Sequence, residues 1–127
     1  MKFDVKPLEC VNQIRFGMSR REVRKLFRNK YNVFKKTIFS RNTTDDFRQF
    51  HVYYDKNNKC EAVEIFEFDE MTINGKTVTK DFKSFKAVIK DLTEDAGSYI
   101  SKESSVGLTV VEGIVESVLF GCRGYYE

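Results

Sequence analysis

Ile14-Arg15-Phe16-Gly17-Met18-Ser19-Arg20-Arg21-Glu22-Val23-Arg24-Lys25-Leu26-Phe27 reads as a short strand, a glycine turn and the capped start of an amphipathic helix. Ser19 is placed to accept a hydrogen bond from the Glu22 amide, and the Glu22 carboxylate can reach back to the Ser19 amide. Met18 before the cap and Val23 after it stand at the two positions of a hydrophobic staple. Val23, Leu26 and Phe27 share one helical face, with Arg20, Arg21, Arg24 and Lys25 over the rest. The spacing predicts a helix from Arg20 to Phe27 or Lys30, ending near Asn29.

Outward from this stretch, the chain reads mostly as strands. Phe3 to Glu9 is a first strand, confined by Pro7 to an edge or an end. Val33 to Phe39 alternates apolar and basic residues and is read as a strand. Ser40 to Asp46 is read as a polar loop. Phe47 to Tyr54 and Cys60 to Phe68 form a hairpin around Asp55-Lys56-Asn57-Asn58-Lys59. The return strand carries Val63 and Ile65 on one face and Ala62, Phe66 and Phe68 on the other, which implies two covered faces or a bulge. Asn74-Gly75 sits between apolar flanks and marks a second hairpin. Asp81 then caps a second helix, whose stripe is Phe82, Phe85, Val88, Ile89 and Leu92. Thr93 to Gly97 is expected to end that helix. Strands follow at Ser98–Lys102, Gly107–Glu112 and Ile114–Cys122, then an aromatic tail, Gly124-Tyr125-Tyr126-Glu127.

The expected fold is therefore α+β, with two helices packed on an antiparallel sheet. The second half echoes the first, and a diverged duplication into half-repeats, residues 1–70 and 71–127, would explain the echo. The whole is read as a single domain: 127 residues, one proline and no Ser/Gly-rich linker advertise no internal boundary. Twelve Phe and six Tyr can fill a core, which argues against disorder.

The formal net charge is +3, and its distribution says more than its sum. Arg15 to Lys36, with Arg41 just beyond, is basic, and Glu22 is its one acid. Glu61 to Glu70 is acidic. A polarised surface of this kind can steer a charged macromolecule. Three widely spaced cysteines, Cys10, Cys60 and Cys122, are an odd number and read as free thiols in a reducing compartment. No signal-peptide pattern precedes Cys10, and no apolar run is long enough to span a bilayer.

Little in the chain suggests catalysis. His51 is the lone histidine, which excludes a two-histidine nuclease or a two-histidine zinc site within one chain. On an alternating strand it reads as a surface or half-buried residue. Cys122 beside Arg123 has a basic neighbour that favours a thiolate, or is simply a small apolar residue at a strand end. Glu61 and Glu67 share a strand face and read as a solvated stripe rather than a tuned acid–base pair. No phosphate loop, nucleophile elbow or metal-ligand run is present.

Several stretches carry a resemblance. These are Ile14 to Phe27, Asp45-Asp46-Phe47, His51-Val52-Tyr53-Tyr54-Asp55, Cys60 to Phe66, Val115 to Phe120 and Gly124 to Glu127. Together they resemble small bacterial immunity proteins of toxin–immunity systems, including those of contact-dependent growth inhibition. The Gly17-Met18-Ser19…Glu22-Val23 element is also similar to the helix start of the beta-lactamase inhibitor protein fold, a tandem of helix-plus-sheet units. Met71 to Leu92 matches less well. The resemblance implies a cytoplasmic binding protein, not an enzyme, with no cofactor and no metal. Its partner would be a cognate toxin domain, such as a nuclease, whose active site it occludes.

For that partner, the expected contact residues are Asp45, Asp46, Glu61, Glu64, Glu67, Asp69 and Glu70, an acidic surface suited to a basic cleft. The alternative is a nucleic-acid-binding domain using Arg20, Arg21, Arg24 and Arg28 on the first helix, with nearby aromatics for stacking.

Overall fold

A computed structural model describes residues 1–35 and 42–127. Within them the chain forms thirteen strands and two short helices. In order these are β1 (Lys2–Lys6), β2 (Cys10–Val11), β3 (Ile14–Arg15), α1 (Arg20–Leu26), β4 (Asn32–Lys35), β5 (Thr43–Asp46), β6 (Phe50–Tyr54), β7 (Cys60–Ile65), β8 (Glu70–Ile73), β9 (Lys76–Val78), α2 (Phe82–Val88), β10 (Thr93–Asp95), β11 (Ser98–Ser101), β12 (Val106–Val111) and β13 (Ile114–Gly121). One sheet has five strands in the order β3-β2-β1-β8-β9. The other has eight, in the order β10-β11-β12-β13-β7-β6-β5-β4.

This corrects the α+β expectation of two helices on an antiparallel sheet: the fold is β-rich. Each helix is seven residues long and fully buries one side chain, Val23 in α1 and Phe85 in α2. Two turns of helix cannot cover eight strands. The five-stranded sheet shares that work: Phe3, Val5, Val11, Ile14, Met71, Ile73 and Val78 enter the same core as Phe50, Val52, Val63, Ile65, Leu108, Val118 and Phe120. Phe3 meets Phe50 edge to face, with ring centroids 5.8 Å apart. The five-stranded sheet is not purely antiparallel, because β1 and β8 pair in parallel. Pro7 lies just past the end of β1, where a missing amide donor costs no ladder bond.

The helices stop where their backbone leaves the helical region. After α1, Arg28 and Asn29 both adopt positive φ, 56° and 58°, and the Asn29 amide closes on the Arg24 carbonyl at 2.8 Å. After α2, Ile89 turns extended. It is still buried, so the apolar stripe continues into the core from a non-helical segment. The Ser19–Glu22 capping box forms as the spacing predicts, and Asp81 accepts from the Lys83 amide at 2.9 Å.

Two further expectations are corrected. Thr43 to Asp46, expected within a polar loop, is strand β5, paired with β4 and β6. Thr93 to Asp95, expected to end the second helix, is edge strand β10. Ala96-Gly97 turns it into β11 with φ of 51° and 88°, the backbone of a two-residue hairpin turn. The part of the expected fourth strand beyond Lys35, and Ser40 and Arg41, lie outside the described residues.

Each helix start is strapped to the tip of a hairpin in the large sheet. Cys60 donates to the Met18 carbonyl at 2.8 Å, and Arg20 donates to the Asn58 carbonyl at 2.9 Å. Likewise Val115 donates to the Lys80 carbonyl at 2.7 Å, and Phe82 to the Gly113 carbonyl at 3.0 Å. Under α1 the strap is reinforced by a buried charge. Asp45 has no exposed surface. It accepts from Arg24 Nε and Nη2, both at 2.8 Å, and from the Tyr54 hydroxyl at 2.8 Å, with Arg20 Nη1 at 3.4 Å. Arg20 also stacks over the Tyr54 ring.

Removing one member of such a cluster strands the others in low dielectric. Asp45→Asn is expected to lower unfolding stability by about 3 kcal/mol. Glu67→Ala, at an exposed site, should stay within about 0.5 kcal/mol of wild type. Urea unfolding of the two variants measures both.

Candidate binding face

The register of the large sheet defines its outer face. Thr93, Ile100, Gly107, Leu119, Glu64, His51, Asp46 and Asn32 are successive cross-strand partners, one from every strand. Asp95, Ser98, Thr109 and Ser117 form a second row. Phe34, Thr44, Tyr53, Ala62 and Gly121 form a third. Alternation sends their neighbours, such as Val52, Val63 and Val118, into the core on the other side. The three rows carry Asp46, Glu64 and Asp95, and no lysine or arginine. That is notable in a chain with 22 basic residues.

Two aromatic groups flank Glu64. On one side, His51 lies between Phe34 and Phe66, with ring centroids at 5.0 and 4.6 Å, and Tyr53 stands 6.4 Å from it. Phe34 and Phe66 are 36% and 38% exposed. His51 Nε2 is 3.5 Å from Asp46. On the other side the tail folds back over the sheet. Tyr125 and Tyr126 pack with Tyr53, Ala62 and Leu119 in a small cluster separate from the main core. This explains the two apolar sides of β7: Val63 and Ile65 face the main core, while Ala62 is buried under tail tyrosines. A bulge between Tyr53 and Tyr54 lets Cys60 pair with Tyr54 and join the main core despite the Ala62 orientation.

The tail fits because the sheet is bare beneath it. A Cβ at Gly107 would overlap the Tyr126 hydroxyl, and one at Gly121 would lie 2.6 Å from the Tyr125 Cβ. Glycine inside a strand is the sequence signal for such a close approach.

The carboxylates expected to form one acidic surface are dispersed. Glu64 occupies the centre of the outer face, where it accepts a hydrogen bond from Tyr53. Asp46 lies two strands away on the same row. Glu61 acts on the Tyr125 phenol from near the tail. Asp45 is spent on α1. Glu67 is exposed beyond the end of β7. Asp69 binds the N-terminal amine, and Glu70 faces Lys2 at 3.7 Å on the other sheet. The arginines of the alternative reading divide too. Arg20 and Arg24 are committed to Asp45, while Arg21 and Arg28 are exposed. Among the described residues, no group of three or more His, Cys, Asp or Glu gathers to hold a metal ion.

Burial pushes four phenols upward. Tyr53 is raised by burial and then by the Glu64 carboxylate, and Tyr54 by burial and then by Asp45. Tyr126 is raised by burial and its neighbour Tyr125, whose own phenol is pushed up to about 12 by burial. Burial likewise raises the Cys60 thiol to about 12, so it behaves as an apolar core group.

A phenol whose folded pKa exceeds its unfolded value near 10 contributes fully to stability below that pH. The contribution is lost as pH rises toward the folded value. An alkaline absorbance titration should therefore show four of the six tyrosines resisting ionisation above pH 10, then ionising together with loss of near-UV circular dichroism. Independent ionisation of all six near pH 10, with structure intact, would contradict the packing of the tail and of Tyr53 and Tyr54.

Comparison with protein-family models, curated proteins and solved structures finds no match.

Proposed function

We propose that this chain is an immunity protein that neutralises a cognate bacterial toxin domain, and that it grips the toxin with the outer face of the eight-stranded sheet. One observation carries the reading. In a chain of net charge +3, the three rows of that face hold carboxylates, rings and small polar groups but no lysine or arginine. Partly exposed rings beside a half-buried carboxylate are the composition of a protein-binding surface, where a few aromatic anchors dominate affinity. Its acidic sign suits a basic partner surface, such as the substrate cleft of a nuclease, and speeds encounter with it.

The mechanism is occlusion. A broad β surface fixed by a packed core needs little ordering on binding, so the interaction energy is not spent on folding the interface. No group on the face acts on a bond. The nucleic-acid alternative has less support, because two of its four arginines are neutralised by a buried carboxylate. The proposed site of action is the cytoplasm of the protected cell. Three unpaired thiols accord with a reducing compartment. Among the described residues no helix is long and apolar enough to cross a membrane.

The test is a growth-protection assay in cells expressing a candidate toxin domain taken from a reading frame next to this gene. Wild type should protect. Glu64→Lys and Phe66→Ala should each lose protection, with Phe66→Ala costing about 2 kcal/mol of affinity for the purified toxin, as an anchor does. Glu67→Lys and Glu70→Lys, off the face, should protect like wild type. Protection unaffected by the first pair would overturn the assignment of the face. Absence of protection, together with salt-sensitive binding of random DNA or RNA in a gel shift, would favour the arginine-helix alternative.

A further inference from the structure

We propose that the groove beside Glu64 is a socket for one cationic side chain, arginine or lysine, presented by the protein partner. This rests on the outer sheet face being the gripping surface, and it names what that surface takes hold of. The groove is a shallow cavity of about 180 Å³ crossing β11, β12, β13 and β7, lined by Glu64, Ser98, Ile100, Thr109, Leu119 and Tyr126.

Three features fit a cation with a hydrocarbon stem. The first is a carboxylate with no basic partner among the described residues. Glu64 is half-buried, and its Oε1 accepts from Tyr53, which fixes the carboxylate in place. Oε2 takes no hydrogen bond and no ion pair from any described residue. A carboxylate partly withdrawn from water without a counter-ion is an energetic cost that an incoming cation relieves. The second feature is that, among the described residues, no lysine or arginine stands in the three rows. The third is the lining. Ile100 and Leu119 offer apolar contact for a methylene stem, and the Tyr126 side chain adds an aromatic wall. Ser98 and Thr109 supply hydroxyl acceptors for remaining N–H groups.

The probe is N-acetyl-arginine methylamide, with the neutral citrulline counterpart as control, titrated into the full ¹⁵N-labelled chain. The expected result is saturable shifts at the Gly107, Thr109 and Leu119 amides, with the arginine probe binding about tenfold more tightly than citrulline. Glu64→Gln should abolish the preference. Thr109→Lys should do the same by placing a tethered ammonium at the groove, and it decides the matter if Glu64→Gln alters the fold. Equal response to the two probes, or shifts that persist in Thr109→Lys, would overturn the socket. If the socket fails while Phe66→Ala still abolishes protection, the face survives as the interface without it. If both fail, the face itself is wrong.

Discussion

The antiparallel pairing of β7 with β13 is the contact on which the architecture turns. Val118 faces Ile65, Leu119 faces Glu64, Phe120 faces Val63 and Gly121 faces Ala62. Without this seam there would be two four-stranded meanders, β4 to β7 and β10 to β13, each with an open edge. With it there is one sheet whose central strands bury both faces. Val63, Ile65, Val118 and Phe120 fill the main core, while Ala62 and Leu119 lie beneath the tail. Edge strands invite uncontrolled pairing, and joining the meanders removes two such edges. The seam also sets the register that brings Glu64 beside Leu119 and Gly107, so the proposed site is a product of the same pairing.

The second constraint is a buried charge. Asp45 sits on β5 with Val52 and Tyr54 of β6 nearby, and two arginines of α1 reach it from above. A seven-residue helix has little intrinsic stability. Here its capping box, its single buried valine and its guanidinium contacts together hold it to the sheet. The same arrangement takes two basic residues of the helix out of circulation. A sequence that looks like a basic nucleic-acid-binding helix is, at Arg20 and Arg24, a structural clamp.

How much of this was legible in the chain depended on whether the signal was local. The capping box at Ser19 and Glu22, the Asn74-Gly75 turn and the β6–β7 hairpin are decided within a few residues, and each forms where its residues indicate. Strand β5 was not legible: Thr43-Thr44-Asp45-Asp46 has loop composition, and what makes it buried strand lies outside the stretch, in the flanking strands β4 and β6 and in the side chains of Arg20, Arg24 and Tyr54. Strand β10 was hidden in the same way, because Ala96 at positive φ is not a residue that announces a turn. The stripe through Phe82 to Leu92 marked burial correctly at Phe85 and Ile89, but burial does not require helix, and the chain leaves the helix at Ile89. The acidic run from Glu61 to Glu70 is divided in space for a related reason. Chain proximity is not surface proximity when a strand ends at Ile65 and the next begins on another sheet. Of the carboxylates singled out from sequence, Glu64 and Asp46 share the outer face, and the rings that give it character, Phe34, Phe66 and Tyr126, were not among the residues singled out as contacts for the toxin.

The function proposed for this chain needs a single rigid platform, since occlusion by a surface that opens in halves would be weak. Native-state amide hydrogen exchange tests this directly, as it reports whether regions open separately or only with the whole. The seam amides in Ala62–Ile65 and Val118–Gly121 should be among the slowest, with the two meanders reaching the same limiting opening free energy in denaturant. If β10 to β13 exchange through an opening that leaves β4 to β7 protected, the seam does not unite the sheet, and the continuous binding face is lost with it.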